Sequence, residues 1–299
     1  MGAVARYTLL ELTRRRILIV FVAVGAVGIA LIATLLKIFT TVFTGNVRFG
    51  TGTNAPDPAT LDRALQLSFV SNIISALGFF ALLIAFAIGM TAIYHDLESG
   101  AAISIFSKPV SRAAFTAGKV GAAMVAMVAI VGVLAVEARL LMFLFGTAGG
   151  LDQALWLEIV AQVANGLTVM LLVMALSTWM NNIIAAVVAF IYNAVAGIVV
   201  ALHDTDVAGH LGNNSLVSHA LSVLYWLVPH ELTSDALRQI AKAELTLFAS
   251  GNTRNGGPSA DQALAGLPGA SGPGDIAWWA FVIVVFVSLV YVAVRRRQV

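Results

Sequence analysis

The run Ile17–Leu36, ILIVFVAVGAVGIALIATLL, decides how the rest of the chain is read. Three arginines, Arg14, Arg15 and Arg16, precede it. A secretory signal has the same polarity, but its apolar centre is only about 7–15 residues long and ends at a small-residue cleavage site. This run is about 20 residues long and no such site follows it. A helix rising about 1.5 Å per residue needs that length to cross the hydrocarbon core. The expectation is a retained first membrane helix.

Composition extends that reading to the whole chain. Of 299 residues, 60% are hydrophobic and 11% charged, with a mean hydropathy of +0.93. A soluble domain has about a quarter of its residues charged. This chain cannot supply such a shell, so the bilayer is its expected solvent. There is no cysteine, which excludes a disulfide framework, a thiolate metal site and a cysteine nucleophile.

Five further apolar runs of spanning length follow: 68–93, 120–145, 155–178, 183–202 and 276–294, beside the first at 17–38. The expected fold is an all-α membrane protein, a single domain over 1–299 with six transmembrane helices. An even number of spans puts both termini on one side. Ten of the 17 basic residues lie in short segments of one face: Arg6 and Arg14–Arg16, then Lys108, Arg112 and Lys119, then Arg295–Arg297. Positive charge marks the cytoplasmic side, so both termini are expected there. Trp278, Trp279 and Tyr291 fit lipid-anchoring aromatic belts.

Three segments outside the spans carry further information. Residues 1–16 have Val4, Tyr7, Leu10 and Leu12 set against Arg6, Glu11 and Arg14, the pattern of an interfacial helix. Asp96–Phe106 can form a short helix with Leu97, Ile103 and Phe106 available for contact. That helix must end before Pro109, which makes Ser111 an expected N-cap for the third span. The outer segment 203–275 divides into an apolar helix at Ser215–Val228, too short to span, an amphipathic helix at Asp235–Phe248, and a Gly- and Pro-rich loop from Gly251 to Gly274.

Polar residues inside a span are costly and so informative. Glu158, Gln162 and Asn165 share one face of the fourth span. Arg139 and Glu158 fall at similar depths near the outer ends of adjacent spans, an expected salt bridge. Ser68, Ser71, Asn72 and Ser75 make a polar stripe on the second span, and Tyr192 and Asn193 lie near the middle of the fifth. Spans one, two, five and six carry no acid, which argues against an ion-coupled transporter. His203, His210, His219 and His230 fall in the outer segment with spacings that match no metal template, so solvated or capping roles are expected and no metal site is assigned.

The stretch His95–Lys119, HDLESGAAISIFSKPVSRAAFTAGK, holds the most specific pattern. Glu98, Gly100, Ser107-Lys108-Pro109-Val110-Ser111-Arg112 and Gly118-Lys119 resemble the ABC-2 family of ATP-binding-cassette exporter permeases, in particular the permease of the nitrous-oxide-reductase maturation system. Ala101 departs from the threonine often found there. The turn ALSTWMNNIIAAVVA and the outer LYWLVPHEL also look like that family. The resemblance implies a permease subunit in a prokaryotic plasma membrane, paired with a second permease copy or a related one. It would dock cytoplasmic ABC ATPase subunits that bind ATP and Mg. The implied contacts are Asp96, Leu97, Glu98, Gly100, Ile103, Phe106, Lys108, Pro109 and Arg112, with Arg6, Tyr7, Glu11 and Arg14 of the interfacial helix. It also implies that spans two and five flank the translocation path, which makes Ser68, Asn72, Ser75, Tyr192 and Asn193 lining candidates. The outer segment would form an external gate.

The chain has no G-x-x-x-x-G-K-[ST] phosphate loop, since Ala117–Ala122 reads AGKVGA, and no H-E-x-x-H or G-x-S-x-G. It is therefore expected not to be an enzyme and to bind no cofactor itself. Lipids are expected partners, an outer accessory protein is a further one, and no nucleic acid is expected. Two rival readings stand beside the exporter: a secondary transporter, and a membrane scaffold or mechanotransmitter acting on an outer partner.

Overall fold

The computed structural model describes residues 2–14, 16–46, 58–93, 111–145, 152–207, 215–234, 240 and 270–296. The chain is an all-α membrane protein. Its helices are α1 (Gly2–Arg14), α2 (Arg16–Asn46), α3 (Pro58–Thr91), α4 (Arg112–Leu144), α5 (Asp152–Ser177), α6 (Asn182–Val207), α7 (Ser215–Leu227) and α8 (Pro273–Arg296). Six of them, α2 to α6 and α8, are long and apolar enough to cross a bilayer. A helix satisfies its backbone N–H and C=O groups internally, which hydrocarbon demands of any spanning segment.

The helices are not equivalent. In the most apolar windows of α3 and α5, 61% and 67% of residues are buried, against 22% in α2, α6 and α8. The pair α3–α5 is the axis on which the rest is assembled. Lipid tails are as apolar as leucine, so this pairing is driven by close van der Waals packing rather than by water exclusion. Gly78, Ala81, Ala85 and Gly89 recur on one face of α3, and Ala81 and Ala85 are wholly buried. At Gly89 a Cβ would lie 2.7 Å from the Met170 carbonyl oxygen and 2.8 Å from Val173 Cβ. Only a glycine lets the two backbones come that near. Ile184, Val187, Phe190, Ile191 and Ile198 of α6 remain exposed on the bundle surface, which suits a lipid-facing helix.

Polar atoms fasten the helix ends. Ser111 caps α4 as expected, with extended backbone and its Oγ accepting from the Ala114 N–H at 3.1 Å. Asn181 does the same for α6, accepting the Ile183 N–H at 3.0 Å. Beside it Asn182 Nδ2 donates to the Met90 carbonyl at 2.7 Å, tying the α5–α6 turn to the end of α3. Helix α8 starts with Pro273 in its first position, where the missing N–H costs nothing. Asp275 reaches back to accept the Gly272 N–H at 2.7 Å, half of a capping box.

Helix α4 starts at Arg112, directly after the expected Ser111 cap and ahead of the apolar run at 120–145, so Lys119 lies inside the helix. It is 1% exposed. The charge is tolerated there because Glu11 of α1 meets it at 3.2 Å. The expected short helix at 96–106 and the amphipathic helix over 235–248 fall outside the described residues, apart from buried Ile240.

Candidate functional site

The polar face of α5 organises the end of the bundle away from the termini. Glu158, Gln162 and Asn165 are spaced i, i+4, i+7, so they stack along one side of the helix. The segment Val228–Ser234, which leaves α7, lies across them. Asn165 grips it in both directions: its Nδ2 donates to the Leu232 carbonyl at 2.9 Å, and its Oδ1 accepts the Leu232 N–H at 2.7 Å. Glu158 is completely buried. Its Oε2 accepts the Ser234 N–H at 2.9 Å and the Ser234 hydroxyl at 2.8 Å, and its Oε1 accepts from Gln162 Nε2 at 2.8 Å. Every one of these donors is neutral, so the buried carboxyl is solvated here by dipoles.

The expected Arg139–Glu158 salt bridge is therefore corrected. The Glu158 oxygens are taken by Gln162 and Ser234, while the Arg139 guanidinium lies over the Trp156 ring at 5.7 Å. Depth along two neighbouring helices matched these residues, but a segment 76 positions further on supplies the actual partner.

The other edge of the segment is held by the start of α8. The Thr233 N–H donates to Ser271 Oγ and the Ser271 N–H to the Thr233 carbonyl, both at 2.9 Å. Trp278 Nε1 donates to the Val228 carbonyl at 3.3 Å, and Trp279 Nε1 to the Ala164 carbonyl of α5 at 3.2 Å. Both indoles are thus structural ties, a role beyond the belt anchors expected of them. Next to them, Tyr225 stacks on His203 (centroids 4.2 Å apart) and on His230 (4.1 Å). Two near-parallel rings this close to one phenol must occupy its opposite faces, so the histidines sandwich it. Asp275 completes the group: the Tyr225 hydroxyl donates to its Oδ1 at 3.1 Å, and His230 Nε2 lies 3.3 Å from the same oxygen. Among the described residues no three His, Asp or Glu side chains converge as a metal set.

Beneath this clasp lies a cavity of about 270 Å³. Ser75, Gly78, Phe79 and Leu82 of α3 line one wall, Tyr192 and Asn193 of α6 another, and Gln162, Asn165, Gly166, Thr168, Val169 and Leu172 of α5 a third. Pro229, His230 and Glu231 form its lid. Three of the five lining candidates, Ser75, Tyr192 and Asn193, meet here. The other two do not: Asn72 is exposed and turns back to donate to the Ser68 carbonyl at 2.7 Å, above the cavity on α3. Sequence reasoning placed the Glu158–Asn165 stripe on one face but did not assign it to a pocket, and it gave Glu231 no role.

Gly78 marks a close approach in the wall, since a Cβ there would sit 2.6 Å from Gln162 Oε1. Glu231 keeps an exposed edge at the mouth, with protein crowded around its other sides. Burial first, and then the charge of Glu158, push its carboxyl above the ordinary carboxylate range.

At the opposite end of the bundle, α1 lies along the first turns of α4. The Lys119 ammonium, paired with Glu11, is also 5.7 Å from the centre of the Tyr7 ring. Arg112 Nη1 donates to the Arg295 carbonyl at 2.6 Å, joining the start of α4 to the end of α8. Arg6 is exposed and Arg14 ends α1. Asp96, Leu97, Glu98, Gly100, Ile103, Phe106, Lys108 and Pro109 lie outside the described residues. No protein family model matches the chain, and no curated protein matches it.

Proposed function

We propose that the chain is the membrane-spanning permease subunit of an ATP-driven ABC-2 type transporter, working as an exporter in a prokaryotic plasma membrane. The ten clustered basic residues support a cytoplasmic position for both termini. ATP and Mg bind in a separate ATPase subunit, and a second permease copy completes the complex. The observation that carries this reading is the buried Glu11–Lys119 pair. It joins the interfacial helix to α4 seven residues beyond the Ser-Lys-Pro-Val-Ser-Arg motif, so a push delivered to the motif or to α1 reaches one mechanical body. Arg112 extends that body to α8. At the other end, the polar cavity between α3, α5 and α6 favours a substrate-handling subunit over a scaffold with a wholly apolar interior.

The test is co-purification of the tagged full chain with any ABC ATPase encoded beside it, wild type against Glu98→Arg. Wild type is expected to bring the ATPase down, and the charge reversal to lose it. If no ATPase is recovered with the wild type in any mild detergent, the proposal fails. If both forms recover it equally, the docking role of Glu98 falls.

A further inference from the structure

We propose that the cavity beneath the 228–234 clasp binds a small organic cation with an aromatic or aliphatic body. This rests on the transport reading for its biological sense, but it stands on the cavity's own chemistry.

At about 270 Å³ the space is at the small end of ligand pockets. It would hold roughly nine waters at about 30 Å³ each, or one compact organic molecule. Its lining mixes neutral hydrogen-bonding groups with apolar and aromatic surface, the usual make-up of a small-molecule site. The charge balance is one-sided. Among the described lining residues there is no Lys or Arg, whereas Glu231 is one of them. Glu231 makes no ion pair with any described residue. Behind it, the donors that hold buried Glu158 among the described residues are all neutral. The basic groups of this end are engaged elsewhere, Arg139 over Trp156 and His230 against Asp275.

Among the described residues neither carboxylate has a Lys or Arg paired with it, so the two together set up a negative field at the mouth of the cavity. An anionic ligand would be repelled, and a neutral one would leave Glu231 uncompensated. A cation at the mouth would compensate it. Phe79 and Tyr192 supply aromatic lining of the kind that a quaternary or protonated amine prefers.

The experiment uses the full chain in nanodiscs of neutral lipid and measures equilibrium binding of two water-soluble probes of similar size. One is benzyltrimethylammonium and the other neutral N,N-dimethylbenzamide. The cation is expected to bind about tenfold tighter or better, the scale of one charge-assisted contact. Glu231→Gln should bring the two affinities within about threefold of one another, and Glu231→Asp should keep the preference. Thermal unfolding and size-exclusion profiles verify that each variant is folded. Equal affinities in the wild type, no binding of either probe, or a preference untouched by Glu231→Gln would each overturn the proposal. ATPase co-purification is scored on the same preparations. Recovered ATPase without cation preference sinks the ligand assignment alone, and cation preference without ATPase sinks the transporter class alone.

Discussion

The two ends of the bundle solve the problem of charge in a membrane in opposite ways. At the end that carries the termini, a buried ammonium meets a carboxylate directly and an aromatic ring lies beside it. At the far end, the donors that a fully buried carboxylate meets among the described residues are amides and a hydroxyl. A direct ion pair between two helices resists separation, because breaking it strands a charge in hydrocarbon. Neutral donors can exchange for water or a ligand at far lower cost. The comparison separates an end fastened by a direct charge pair from one held by neutral hydrogen bonds.

The largest expected effect breaks the first end. Lys119→Met leaves Glu11 without its counter-charge and should cost about 3 kcal/mol, the lower part of the range for breaking buried pairs, because Glu11 is partly exposed. Thermal unfolding in detergent reads it, and the double change Lys119→Met with Glu11→Gln should recover most of the loss. No recovery would mean that the lysine acts through packing alone.

A smaller effect is expected at the far end. Glu158→Ala removes the acceptor of the Ser234 N–H, the Ser234 hydroxyl and the Gln162 amide. Water can re-solvate these donors once the segment lifts, so the cost should be about 1–3 kcal/mol. It should be accompanied by faster hydrogen exchange at the Leu232 and Ser234 amides. If exchange there is unchanged, Glu158 does not hold the clasp shut.

The smallest effect sharpens the charge argument at the mouth. Because the folded protein raises the Glu231 pKa, it disfavours the charged form. The stabilising neutral form is fully present below the unfolded value and is lost as pH rises through the folded one. Wild type and Glu231→Gln should therefore unfold at similar temperatures at acid pH. A gap in favour of the glutamine variant should open toward neutral pH, and a gap independent of pH would contradict the raised pKa of this partly exposed carboxyl.

What was legible in the sequence differs along the chain for physical reasons. Membrane spans are one-dimensional signals, because hydrocarbon thickness imposes a run length, so six runs sufficed to give six helices. The α4 cap at Ser111 was equally local, being set by a proline two residues before it. The burial of Lys119 was not legible, for the opposite reason. A lysine just before an apolar run reads as an anchor at the membrane surface, and its partner Glu11 lies 108 residues away in the sequence.

The site divides in the same way. Polar residues in apolar spans announce themselves, so Ser75, Tyr192, Asn193 and the Glu158–Asn165 stripe could be singled out from cost alone. Which of them meet depends on how α3, α5 and α6 are rotated and on a segment that returns over them from 67 positions away. Composition and run length thus determined an all-helical chain whose solvent is the bilayer, with its basic residues gathered at one end. Tertiary structure alone decided that Glu11 finds a base and that Glu158, among the described residues, finds neutral donors, because pairing depends on three-dimensional approach and no local pattern encodes it.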